Sequence, residues 1–243
     1  MTAPVYLPDR TFVVQQLNGN YLVRGNEPLL ADGKTFAYDA LNTRLQTLIG
    51  NNFNLTNYTL IDMSLIDNIP GSERPVLEAE FVAYGMSTTD FDSTFPATKW
   101  PPAANGLDVT KQYGSSVAGN KGSIIWYPVQ GCTDPANCRL VEPRDYRFVE
   151  QVTFLNHLMN TASNTVIYYH CEHGHDRTSA LTAAYQVKYL GITPEQAKTL
   201  PPPHGAKAFK HEWAPTYLQL VNYYVSATAP APSPAPAPSP AAA

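Results

Sequence analysis

The sequence predicts an α/β domain, a central mixed sheet flanked by helices, over residues 1–226, followed by a disordered tail over 227–243. Three observations carry that reading. Short β-branched and aromatic runs alternate with segments whose apolar residues recur at helical spacing, the pattern of strands covered by helices. One such run, Thr165-Val166-Ile167-Tyr168-Tyr169, passes through a glycine-containing loop into a helical stretch from Ser179 to Leu190. From Ala227 onward the chain is almost only proline, alanine and serine, which cannot form a core and favours an extended, solvated conformation.

In chain order, Phe12 to Gln16 and Tyr21 to Val23 read as strands, Phe36 to Ile49 as a helix, and Tyr58 to Met63 and Ala79 to Val82 as strands. Ser87 to Asn120 is rich in Ser, Thr, Pro, Gly and Asn and reads as a long surface excursion placed to roof a site. Ser123 to Tyr127 is a further strand, and Asp145 to Met159 a helix with Phe148, Val152 and Leu155 on its apolar side. Thr193-Pro194-Glu195-Gln196 is a capping box with proline at the first helical position, and Trp213 to Val225 supplies a last helix. No internal repeat is visible.

Composition narrows the function. The 44% hydrophobic content suits one substantial core, and only 15% of the residues are charged. A net charge of −4 argues against a nucleic-acid surface, so any attraction for a polyanion must be local. One local basic cluster is His204, Lys207, Lys210 and His211, which reads equally as a solvated loop.

The most informative segment is His170-Cys171-Glu172-His173-Gly174-His175-Asp176-Arg177-Thr178. It joins a strand to a helix, so successive backbone N–H groups and the helix N-terminus converge on one anion. A free thiol has a pKa near ~8.5, which a helix N-terminus and a neighbouring guanidinium lower, making Cys171 a candidate nucleophile. Arg177 offers a planar fork for two phosphate oxygens, and its grip tightens as charge builds in the transition state. Gly174 lets the backbone turn close to the anion, Thr178 can offer its hydroxyl to the sulfur, and His170 supports the loop from behind. The rival chemistry is a metal held by His170, Cys171, His173 and His175. A tight anion loop turns many side chains outward, and the His-x-His-x-Asp-His spacing of metallohydrolases is broken at Asp176-Arg177, so no metal or other cofactor is expected.

These residues resemble the signature loop of the cysteine-dependent phosphatases of the protein-tyrosine-phosphatase superfamily: His-Cys, five residues, Arg, then Ser or Thr. The resemblance implies a protein-tyrosine-phosphatase-like sheet, a phosphocysteine intermediate, and phosphate binding by Glu172, His173, Gly174, His175, Asp176 and Arg177. It also implies a general acid, for which two aspartates compete. Asp134 follows the strand that ends near Tyr127 and precedes a helix, in the order the family uses, although the family's local patterns around the acid are not intact. Asp176, immediately before the arginine, matches lipid phosphatases that carry an aspartate inside the loop. Asp134 is preferred. Glu172 resembles the phytase-like members and Asp176 the lipid phosphatases, so inositol phosphates or phosphoinositide headgroups are the expected substrates, with a phosphoprotein as the alternative. A phosphate-binding module without catalysis is the reading from another class.

Cys132 and Cys138 bracket Asp134 and could close a disulfide in an oxidising compartment, or remain thiols. Neither a signal peptide nor a transmembrane segment is visible. The low charge, the cysteine pair and the Pro-Ala tail tilt the expectation toward export with a leader already removed; otherwise the protein is cytoplasmic.

Overall fold

A computed structural model describes residues 5–71, 73–96, 108, 110–114, 122–129, 147–199 and 214–227. The β-rich runs form a six-stranded sheet whose strands are β1 (Phe12–Leu17), β2 (Asn20–Asn26), β3 (Thr59–Ser64), β4 (Gln112–Tyr113), β5 (Ser123–Trp126) and β6 (Thr165–Cys171). Their spatial order is β1-β2-β6-β3-β5-β4. The inner four run parallel, while β1 and β4 close the two edges antiparallel, so the sheet is mixed.

Parallel strands need helical crossovers, which cover both faces and make the central strand apolar throughout. All seven residues of β6 are accordingly buried. One face packs against α4 (Phe148–Thr161), α5 (Asp176–Tyr189) and α7 (Ala214–Ala227), through Phe148, Val152, Leu155, Leu181 and Tyr224. The other packs against α1 (Tyr38–Ile49) and α2 (Arg74–Ala83), through Leu41, Leu45, Leu77 and Phe81. The β1–β2 hairpin turns on Asn18 and Gly19, both at positive φ, as a two-residue turn matched to strand twist requires.

Two expectations change. Residues 79–82 are helical and belong to α2: Pro75 sits in the first turn, and Leu77, Glu80 and Phe81 fall on one buried side at helical spacing. A four-residue apolar run is too short to reveal its period. Within 87–120 the described residues include α3 (Thr88–Thr94), capped by Ser87, whose Oγ accepts the Asp90 N–H, and edge strand β4. Short α6 (Pro194–Thr199) follows the expected capping box, in which Thr193 Oγ1 accepts the Gln196 N–H at 3.2 Å. The proposed tail, 227–243, lies outside the described residues apart from Ala227. No helix among the described residues is long and apolar enough to cross a membrane.

Candidate active site

The site grows from the carboxyl end of the central strand, where parallel sheets open a crevice between neighbouring loops. Cys171 ends β6 opposite Asn26 of β2, and His170 stands opposite Ser64 of β3. The chain turns through Glu172–His175 and enters α5 at Asp176, so the helix N-terminus faces back over the cysteine. A helix dipole directed this way favours an anion there. Cys171 is 3% exposed, and its N–H donates to Thr178 Oγ1 at 2.9 Å, closing the loop onto the first turn of the helix. The oxygen of Thr178 thus serves the Cys171 backbone, leaving the hydroxyl proton to donate elsewhere.

Gly174 stands at φ +65°, in the left-handed region, and a Cβ built on it would lie 2.6 Å from the Gly25 carbonyl oxygen. On Gly25 itself a Cβ would fall into the Tyr168 phenol, whose hydroxyl donates to the Asn26 carbonyl at 2.6 Å. Two side-chain-free positions therefore interlock, which lets the loop lie directly on β2.

Arg177 is buried in the first turn of α5 and reaches the loop after β3. Its Nη1 donates to Glu73 Oε2 at 2.8 Å and its Nη2 to Glu73 Oε1 at 2.5 Å, a fork-on-fork pair, with the Leu65 and Val129 carbonyls 3.3 and 3.4 Å from Nη1. Glu73 Oε2 also accepts the Asp67 N–H at 2.9 Å. Glu73, at the start of α2, is a site residue that sequence reasoning misses. The nearby Pro75 marks a helix start, but only the fold places positions 73 and 177 together.

Beside Cys171, around His170, lies a closed acid cluster. His170 Nε2 is 3.1 Å from Asp62 Oδ1 and 3.3 Å from Glu80 Oε1, and its Nδ1 is 3.9 Å from Glu27 Oε2; all four side chains are fully buried. Burial alone would pull the imidazole pKa down, but the charges of Glu80 and Asp62 overcome it and push the value up to about 9. Burial raises Glu27 well above the usual carboxylate range, reinforced by Glu80, and raises Glu80 as well. Ion pairing of the imidazolium with these carboxyl groups, and protons kept on Glu27 and Glu80, thus hold down a charge that could not otherwise be enclosed. Glu27, Glu80 and His170 each bring a potential ligand atom within 4.8 Å of the others, so this is also where a cation would fit. His173 and His175 are not part of that group.

The remaining expected residues are dispersed around the loop. Asp176 is half-buried as the first residue of α5, and His175 precedes it as the buried N-cap. His173 is exposed, with Nε2 3.9 Å from Glu172 Oε1. Asp134, Cys132 and Cys138 lie outside the described residues, which stop at Val129 beside Arg177. Among the described residues Cys171 is a free thiol.

His170, Cys171, Arg177 and Thr178 form a loop consistent with the catalytic motif of the protein-tyrosine-phosphatase superfamily, on an α/β sheet compatible with that arrangement. In comparisons with known proteins, no family model matches the chain and no curated protein matches it.

Proposed function

We propose that the protein hydrolyses phosphate monoesters through a phosphocysteine, acting on inositol phosphates or phosphoinositide headgroups. The observation that carries the reading is the placement of Cys171 and Arg177 on either side of one strand-to-helix turn, the first beneath the helix N-terminus and the second fixed by Glu73. In the first step the Cys171 thiolate attacks phosphorus in line, an S–P bond forms, and the ester P–O bond breaks. Asp134 protonates the departing oxygen. Water then attacks phosphorus, Asp134 takes its proton, the S–P bond breaks, and inorganic phosphate leaves. Arg177 binds two equatorial oxygens throughout, and the free hydroxyl proton of Thr178 stabilises the thiolate as it is released.

The choice of Asp134 as the acid rests on sequence order, after the strand that ends near Tyr127 and before a helix. The substrate preference rests on Glu172 and Asp176; phosphotyrosine protein is the second reading. The test is release of inorganic phosphate from myo-inositol hexakisphosphate, a short-chain phosphoinositide and a phosphotyrosyl peptide, with trapping of phosphate on Cys171 by rapid acid quench. Turnover of the inositol compounds with labelled Cys171 is expected. Peptide-only turnover would select the second reading, and phosphate binding without turnover of any substrate would make this a binding module.

A further inference from the structure

Three successive carbonyls of the loop are held by the N-terminal part of the chain. The Glu172 carbonyl accepts the Glu27 N–H at 3.3 Å, the His173 carbonyl accepts Arg10 Nη1 at 2.7 Å, and the Gly174 carbonyl accepts Arg24 Nη2 at 2.6 Å. A trans peptide is planar, with its C=O and N–H pointing in opposite directions. Tying these three oxygens to one side therefore turns the N–H groups of His173, Gly174 and His175 to the other, the arrangement that makes an anion-binding nest.

Of the three ties, Arg24 is the one with no ordinary explanation. It lies on β2 opposite Tyr169, is 1% exposed, and spends its Nη2 on Gly174 and, at 3.1 Å, on Ser179 Oγ of α5. Its Nε and Nη1 are buried and find no acceptor among the described residues. A buried guanidinium without a carboxylate is costly unless an anion compensates it. Burial works against its charge, and Tyr169, Cys171 and Tyr168 are the groups whose charge would favour it.

We propose that Arg24 is a positioning residue of the phosphate loop: it presets the anion nest through the Gly174 carbonyl, and its buried charge is matched by the Cys171 thiolate and the bound phosphate. This rests on reading the loop as a phosphate site. A cation tied from β2 to the Gly174 carbonyl differs from Arg177, which is occupied by Glu73 and by the reacting phosphate.

The test compares wild type, Arg24→Met and Arg24→Lys in the full chain. The rate of Cys171 alkylation by iodoacetamide at pH 6 reports thiolate, protection of Cys171 by inorganic phosphate reports affinity, and a thermal midpoint reports folding. Arg24→Met is expected to slow alkylation and weaken phosphate binding, each about tenfold, the equivalent of one charge-assisted hydrogen bond. Arg24→Lys keeps the charge but loses the fork, so alkylation should stay near wild type while phosphate binding weakens several-fold. If Arg24→Met fails to fold, Arg24→Lys decides, because its split between alkylation and binding is not what a purely structural role produces. Wild-type alkylation and phosphate affinity in Arg24→Lys would overturn the proposal. If phosphate does not protect wild-type Cys171 at all, the phosphatase reading itself fails, and this inference with it.

Discussion

In the proposed mechanism Cys171 and Arg177 have separable tasks, and single substitutions should separate them. Cys171→Ser removes the proposed nucleophile while leaving the loop's N–H groups and Arg177 in place, so turnover should vanish while phosphate still binds, measured by steady-state assay and calorimetry. Arg177→Lys leaves a cation without the two-pronged geometry, and should lower kcat about 10²- to 10³-fold. Glu73→Gln keeps the size of the partner but not its charge; a loss of about ten- to a hundredfold in kcat/KM, with the fold intact by circular dichroism, is the expected result. No change in Glu73→Gln would show that Arg177 does not need its fork held. Gly174→Ala should lose phosphate binding altogether, because the new Cβ would collide with the Gly25 backbone at a positive φ.

The choice of acid belongs to the elements, since Asp134 follows the exit from β5 and Asp176 opens α5. An acid matters most when the leaving group is poor, because an alkoxide from an inositol ring must be protonated as it departs and a nitrophenolate need not be. Asp134→Asn should therefore cost much more with an inositol phosphate than with para-nitrophenyl phosphate. Asp176→Asn should lower both alike, through the loop's charge and the first turn of α5. If the leaving-group dependence appears in the Asp176 variant alone, the acid sits inside the signature loop. The helix α2 shows why element identity matters here: as a strand, residues 79–82 would direct side chains to both faces, whereas the helix points Glu80 into the His170 cluster.

At the scale of the whole molecule, the buried acid cluster ties stability to pH. His170 has a folded pKa of about 9 against an ordinary value of 6.5, so its contribution is complete below pH 6.5 and is lost as pH rises toward 9. Glu27 and Glu80, raised by burial, also bind more protons folded than unfolded, and push in the same direction. Urea unfolding should show stability falling between pH 6.5 and 9 by on the order of 3 kcal/mol, with a flatter profile in His170→Gln. A flat wild-type profile would mean the cluster is compensated by something other than protons. Local order determined what the sequence could reveal alone: the strand, loop and helix around Cys171, the spacing to Arg177, the turn at Gly174 and the alternation that makes a helix-covered sheet all lie within short windows of chain. What only the tertiary structure decided comes from distant positions: Glu73 gripping Arg177, Arg24 and Arg10 tying the loop carbonyls, and Glu27, Asp62 and Glu80 enclosing His170. Each of these charged residues lacks any local sequence signal of its partner. Its partner is chosen by strand order, because β6 inserts between β2 and β3 and brings both neighbours' carboxyl ends to the same crevice.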